Sequence, residues 1–356
     1  MIKMPGLVDP HVHMREPGAT HKEDWDSGTQ AALAGGFTVL LAMPNTSPPV
    51  TDESSFTLAG SAAKAKARID FGQFLGAGPD NAQVVSRLAP RAAGLKMYLD
   101  QTYGALRLDD MTLWREHFIR WPGTVPIAAH AEGRTLAAVL LMSALYDKPV
   151  HICHVSRREE ILLIRSAKER GLKVTCEVTP HHMFLTEEDI PNDSPGMGEV
   201  RPRLAKKVDN DALWDNLDVI DCFASDHAPH TVAEKMSSEP PPGFPGLETS
   251  LYLFLAAVSD RRLSLDDILL RMVTNPKRIF NLPEQENTWI EIDPEHTWRV
   301  RGENTHTRCG WTPFEGWRVR GRLRRVILRG KTAFQDGEVI SKPGSGQNIR
   351  ISGTKY

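Results

Sequence analysis

The feature that most constrains this chain is a repeated alternation of short apolar runs with helix-like stretches. The residue pattern places strands at 6–13, 37–43, 69–76, 95–99, 125–130, 150–155, 173–178 and 219–225. Helical stretches such as Gly28–Ala34, Ser54–Ala67, Leu136–Leu145 and Glu159–Arg170 lie between most of them. Strand–helix alternation predicts a parallel sheet, because parallel neighbours need a long crossover and a helix supplies it. Runs such as Thr38-Val39-Leu40-Leu41-Ala42-Met43 leave no polar face, so these strands are expected to be covered on both sides. Eight βα units predict an α/β fold of the closed (β/α)8 kind, a TIM barrel, rather than an open sheet.

In such barrels the chemistry sits where strands end in loops. Here the runs end in residues able to hold a metal or move a proton. His11 and His13 close the first run; two residues apart on a strand, they point to the same side. Lys96 lies in the fourth run, His130 ends the fifth, His154 the sixth and Asp226 the eighth. Taken singly, any of these reads as a structural side chain. Six together on otherwise apolar strands do not, because each would be costly to bury without a partner. Histidines and an aspartate suit divalent zinc. An ammonium cannot ligate, but a lysine that has reacted with CO2 carries a carbamate, an anionic oxygen group able to bridge two ions. Two ions sharing a water would acidify it into a nucleophile.

Composition narrows the partners. The chain has 356 residues, 40% hydrophobic and 25% charged, with a net charge of -2. That balance argues against nucleic acid or an anionic membrane as the main partner. No apolar run approaches the ~20 residues of a membrane span, and no leader pattern opens the chain. Four cysteines, Cys153, Cys176, Cys222 and Cys309, are too few for a disulfide framework in a chain of this length. A reducing cytoplasm is expected.

After the eighth run comes a Pro- and Gly-rich loop, Ala228–Pro245, followed by helical segments at about 246–259 and 264–273, the second capped by Ser264. From Trp289 the pattern turns to short β-branched or alternating runs at Trp289–Asp293, Thr297–Val300, Trp317–Arg320 and Arg325–Leu328, with turns at Gly330 and Asp336-Gly337. The expected organisation is a barrel over 1–285, a small β-rich subdomain over 286–342 that could recruit the first N-terminal residues, and a tail or linker over 343–356. The first metal motif stands only a few residues from the start, as it would in a domain excised from a longer polypeptide.

The ligand order, His11-Val12-His13, a fourth-strand lysine, single histidines ending strands five and six and an aspartate ending strand eight, resembles the metal-dependent amidohydrolase superfamily. Pro10–Gly18, Met43–Thr46, Ser225–His230 and Pro242–Thr249 narrow the resemblance to dihydroorotases, closest to the dihydroorotase domains of animal multifunctional CAD polypeptides. It covers about residues 5 to 340. The resemblance implies reversible cyclisation of N-carbamoyl-L-aspartate to L-dihydroorotate with loss of water, in pyrimidine biosynthesis. It implies that His11, His13, carbamylated Lys96 and Asp226 hold one zinc, and that carbamylated Lys96, His130 and His154 hold a second. Asp226 would also shuttle the proton. Arg15, Asn45, His230, Arg201 and Pro242 match substrate contacts. The stretch Asp100–Gly104 matches a mobile loop that offers Thr102 and residue 103 to the substrate; CAD-type loops carry Phe where this chain has Tyr103. Cys153 and Glu177 match a third zinc position suggested for CAD-type enzymes, and a buried thiol with a supporting carboxylate is the alternative. The implied partners are the carbamoyl-phosphate synthetase and aspartate transcarbamoylase domains of the same polypeptide and a second copy in a homodimer.

Two other functions compete. A hydantoinase, dihydropyrimidinase or allantoinase would keep the fold, but a substrate without a ring carboxylate does not need Arg15, Asn45 and His230. A metal-free scaffold would not need the intact ligand set.

Overall fold

The computed structural model describes residues 1–350. Its strands, in chain order, are β1 (Ile2–Pro5), β2 (Leu7–Val12), β3 (Phe37–Ala42), β4 (Asp70–Gln73), β5 (Leu75–Gly76), β6 (Leu95–Tyr98), β7 (Ile127–His130), β8 (Val150–Ile152), β9 (Val174–Val178), β10 (Cys222–Phe223), β11 (Trp289–Arg299), β12 (Arg318–Leu328), β13 (Lys331–Gln335) and β14 (Glu338–Val339).

Strands β2 to β10 form the barrel. Two parallel runs, β2-β3-β4 and β5-β6-β7-β8-β9-β10, follow chain order. Phe74 separates β4 from β5, so the third unit is one interrupted strand; the Phe74 N–H still reaches the Ala42 carbonyl at 2.9 Å. A parallel bridge between Val12 and His227 brings the first and last strands together. Every residue of β2, β3, β6 and β7 is buried, as strands covered on both faces require. The crossover helices start where the sequence supplies caps. Asp24 and Asp52 each accept from the backbone N–H three residues on, and Ser27 and Ser55 return a hydroxyl to the cap's own N–H.

The appended sheet has the order β1-β11-β12-β13-β14, all antiparallel. The N-terminal strand therefore pairs with β11, Ile2 opposite Ile292 and Pro5 opposite Trp289. The runs read separately at Trp289–Asp293 and Thr297–Val300 fall largely in one strand, β11, with a register irregularity between Asp293 and Thr297 where Pro294 lacks an N–H for the ladder. On β12, Val319, Gly321 and Leu323 are buried while Arg318 and Arg322 face out. This face packs on the helix Leu247–Ser259 so closely that a Cβ on Gly321 would lie 2.5 Å from Leu255 Cδ1. Asp336 and Gly337, at φ 51° and 100°, make the two-residue turn between β13 and β14.

The stretch read as a tail differs from that expectation as far as residue 350. The Phe71 N–H donates to the Gln347 carbonyl at 2.9 Å, Ile349 is buried against the bottom of the barrel, and the Arg350 guanidinium caps the carbonyls of Ala92, Asn281 and Phe280. Glycine-rich composition suggested a linker, but the glycines let this backbone lie against the Ala67–Ile69 strand entry, with Gly346 too close to the Ile69 carbonyl to carry a side chain. Residues 351–356, the rest of that stretch, lie outside the described residues.

Candidate active site

The strand ends deliver the six polar residues to one place. His154 and Asp226 stand at φ 36° and 44°, and Arg15 at 59°, a left-handed conformation that costs non-glycine residues about 1–3 kcal/mol. Strain of this kind at three strand exits persists where the surrounding structure needs those side chains turned into the barrel mouth.

His11 Nε2 and His13 Nε2 converge on Asp226 Oδ1 at 3.2 and 3.1 Å. His130 Nδ1 and His154 Nε2 face each other at 2.9 Å. The His11 and His154 rings lie 5.3 Å apart, which joins the two groups into one cluster. Lys96 is fully buried; its Nζ lies 2.9 Å from Cys153 Sγ and 5.1 Å from the Tyr98 ring, and no carboxylate pairs with it among the described residues. These residues fit a pair of divalent ions. Buried His154 Nδ1 lacks a hydrogen-bond partner among the described residues, His130 Nε2 meets only the Glu132 carboxylate, at 3.4 Å, and burial holds both rings in the neutral form that ligates. A buried lysine with no anion beside it fits a side chain that works in a modified, anionic form.

Behind the histidines, Glu177 Oε1 bonds His11 Nδ1 and accepts the His154 N–H at 3.3 Å, while Oε2 reaches His151 Nε2 at 3.1 Å. Glu177 thus orients the ring of His11 as an outer-shell carboxylate does in a metal site. Ligand atoms of His11, Cys153 and Glu177 also lie within 4.8 Å of one another, as do those of His11, His13 and Asp226. Burial alone would push Asp226 up, but His11, His13 and His154 hold it well below the ordinary carboxylate value.

Loops add a cationic cluster beside this group. His13 Nδ1 lies 2.6 Å from Asn45 Oδ1, and Asn45 Nδ2 donates to the Tyr103 carbonyl at 3.1 Å. Arg15 donates from Nε to the Pro229 carbonyl at 3.0 Å and lies 3.0 Å from His230 Nε2, which also meets the Pro242 carbonyl at 3.0 Å. Tyr103 closes over them, its ring 5.2 Å from the Arg15 guanidinium and 5.1 Å from the His230 ring.

The chain as a whole resembles known proteins. Residues 1–76 match the family described as Dihydro-orotase-like. The chain is 36% identical to the dihydroorotase of Pyrococcus furiosus over 359 residues, 96% of this chain and 84% of that protein. The chain belongs to the dihydroorotase family. It is 57% identical over 350 residues to the multifunctional protein CAD of Squalus acanthias, covering 98% of this chain but only 16% of that protein's length. Among solved structures it superposes on the L-hydantoinase of Arthrobacter aurescens with a TM-score of 0.93 at 25% identity, over 98% of this chain and 88% of that one. It superposes on the inactive dihydroorotase-like domain of the Chaetomium thermophilum CAD-like multifunctional protein with a TM-score of 0.84 at 29% identity, over 98% and 99%.

Within this dihydroorotase-family fold the structure does not draw all of the expected residues together. Arg201 bonds Glu199 and the Val200 carbonyl, 2.9 Å away, and makes no hydrogen bond to Arg15 or His230 among the described residues. Thr102 is half-buried on its loop and makes no side-chain hydrogen bond among the described residues. The loop's base is fixed by Asp100, which accepts from the Glu132 N–H at 2.7 Å and the Thr135 hydroxyl at 3.1 Å. Three residues that the sequence reading passed over belong to the site. Asp9 accepts the N–H groups of His11 and Ser225 at 3.1 and 3.2 Å, tying the first and last strand ends together; burial raises its pKa to about 7. His151 supports Glu177. Lys22 meets His230. An aspartate amid the apolar residues of β2 was the available signal for Asp9; nothing local marks Lys22, which comes to the site through the loop after β2.

Proposed function

We propose that this chain is a zinc-dependent dihydroorotase, catalysing the reversible cyclisation of N-carbamoyl-L-aspartate to L-dihydroorotate with loss of water, a step of de novo pyrimidine biosynthesis. The observation that carries this reading is the adjacency of two unlike groups: a buried cluster of metal-ligating side chains, and a cluster of Arg15, His230 and Asn45 suited to a carboxylate. In this reading His11, His13, Lys96 as a carbamate, and Asp226 hold one zinc; Lys96, His130 and His154 hold the other. Bound, the two ions acidify a water and polarise the amide carbonyl of the substrate ring. Asp226, facing two histidines through Oδ1, accepts the proton of the attacking water and delivers it to the departing ring nitrogen; in the synthetic direction it does the reverse. The Arg15 guanidinium binds the ring carboxylate by charge-assisted hydrogen bonds, with Asn45, His230, Arg201 and Pro242 as further contacts and Thr102 and Tyr103 supplied by the loop. The grouping of His11, Cys153 and Glu177 has the donor chemistry for a third zinc, in competition with its present role of orienting His11.

The identity shared with CAD supports placing this sequence within a multifunctional polypeptide. In this reading carbamoyl-phosphate synthetase and aspartate transcarbamoylase domains stand beside it, and it works in the cytoplasm as a homodimer. Among the described residues no helix is long and apolar enough to cross a membrane.

The inactive Chaetomium relative favours a second reading, a scaffold without turnover. Initial rates on dihydroorotate and dihydrouracil, with zinc counted by elemental analysis, separate the readings. Zinc near two or three per chain with turnover of dihydroorotate alone is expected. Absence of zinc and turnover would establish the scaffold, and preference for dihydrouracil a hydantoinase-type enzyme.

A further inference from the structure

We propose that Lys22 is a positioning residue that fixes the tautomer of His230 and thereby turns His230 Nε2 into a hydrogen-bond donor beside Arg15. The inference rests on the reading of Arg15 and His230 as the carboxylate cluster.

The argument is one of hydrogen-bond polarity. His230 is fully buried, and both ring nitrogens have neighbours. Nδ1 lies 3.0 Å from Lys22 Nζ. An ammonium only donates, so Nδ1 must accept and carries no proton. Nε2 lies 3.0 Å from the Pro242 carbonyl, which only accepts, and 3.0 Å from Arg15 Nη2, which only donates, so its own contacts are split; the Lys22 ammonium at Nδ1 decides, and in the neutral ring Nε2 carries the hydrogen. A doubly protonated ring would set an N–H against the Lys22 ammonium. Burial, and then the charges of Arg15, Lys22 and Lys235, hold His230 neutral well below the ordinary histidine pKa.

Lys22 is itself held on several sides. Its side chain is almost wholly buried, paired with Glu234 Oε1 at 3.1 Å and donating to the Tyr103 hydroxyl at 3.2 Å, with the Tyr103 ring centroid at 4.7 Å. Glu234 is fixed in turn by Thr231, whose N–H and hydroxyl both reach Oε2 at 3.0 Å. The ammonium therefore joins the loop after β2, the loop after β6 and the loop after β10 at one point. Beside it, Arg15 Nη2 and His230 Nε2 lie 3.0 Å apart, and with the hydrogen on Nε2 both can donate to one anionic group that arrives between them. In the opposite tautomer Nε2 would show a lone pair to the same anion and repel it. Without Lys22 only the split contacts at Nε2 remain, Pro242 favouring a hydrogen there and Arg15 a lone pair, so the other tautomer becomes accessible, because an N–H at Nδ1 would no longer face a cation.

The test uses Lys22→Met, which keeps the stem and removes the charge, and Lys22→Arg, which restores a group that only donates. Nitrogen-15 imidazole spectra of the zinc-loaded protein, with His230 assigned by its loss in His230→Asn, read the tautomer without reference to activity. Wild type is expected to show Nε2 protonated and Nδ1 bare. Lys22→Met should move His230 toward the other tautomer or the imidazolium, raise KM for dihydroorotate about tenfold and leave kcat within about twofold. Lys22→Arg should recover most of both. A wild-type His230 protonated at Nδ1, or an unchanged tautomer in Lys22→Met, overturns the proposal even if the enzyme is fully active. The expected tautomer change with no effect on dihydroorotate binding would instead place the error in the reading of the carboxylate cluster.

Discussion

The two halves of the candidate site are built by different means. The metal-ligating half hangs on barrel strands: His11, Lys96, His130 and Asp226 lie on or just beyond strand ends whose spacing is set by parallel backbone pairing, such as Lys96 opposite Ala128 and Tyr98 opposite His130. The carboxylate half hangs on loops and is held by side chain upon side chain, His13 to Asn45, Asn45 to Tyr103, Lys22 to His230 and Glu234. Strand-borne groups are fixed by the whole fold, so replacing one deletes its chemistry and little else. Loop-borne groups are fixed by each other, so replacing one should perturb its neighbours too.

The largest effect expected is at Asp226. Asp226→Asn should fold and keep its substrate affinity while kcat falls about 10²–10⁴-fold in both directions, the usual worth of a positioned proton carrier. A kcat near wild type in steady-state assays would remove Asp226 from proton transfer. Lys96→Ala should lose both zinc ions and activity together, since no other anion bridges the two sets of histidines. Mass spectrometry of active wild type should show the mass of a carbamate, and a short external carboxylate should restore part of the lost rate. An unmodified lysine in fully active protein would overturn the bridging role.

Direction and pH give a third measurement on the strand-borne half. Carbamoyl aspartate has two carboxylates and dihydroorotate one, so ring closure takes up a proton and its equilibrium shifts about tenfold per pH unit toward hydrolysis as pH rises. Asp226 is held ionised far below neutrality by His11, His13 and His154, against the opposing effect of burial, so it is ready to accept a proton throughout that range. Hydrolysis should therefore rise and synthesis fall from mildly acidic to alkaline pH on one metal-loaded preparation. Parallel profiles in the two directions would point to a separate acid.

Smaller effects should come from the loop-borne half. Arg15→Lys keeps the charge but loses the planar fork, and KM for dihydroorotate should rise on the order of tenfold, in line with about 1.5–3 kcal/mol for a charged hydrogen bond. Tyr103→Phe removes only the hydroxyl that Lys22 reaches, and a KM change of about twofold is expected, at the weak end of a single net hydrogen bond. If Tyr103→Phe altered kcat more than Arg15→Lys, the contrast between the two halves would be drawn in the wrong place.

Much of the architecture was legible in the chain itself. Apolar runs with a period and length that suit a buried parallel strand, five of the eight carrying a polar residue at or near their end, announced both the barrel and the rim on which its chemistry stands. Physical necessity makes those signals local: a covered strand must be apolar throughout, and a functional group on it must sit where the strand leaves the core. Contacts between distant segments were not legible. The sequence allowed the first residues to join the appended subdomain, but the pairing of Ile2–Pro5 with Trp289–Ile292, the lie of 343–350 against the barrel floor and the turn of Arg201 to Glu199 all depend on which segments meet in space. Lys22 is the clearest case. Its sequence surroundings, His21-Lys22-Glu23-Asp24, are charged and nothing in them marks a buried side chain, yet Lys22 is buried against His230, more than two hundred positions away. Composition and periodicity record what each residue requires of its surroundings; only the folded chain decides which partner meets the requirement, because hydrogen-bond polarity and distance are properties of pairs.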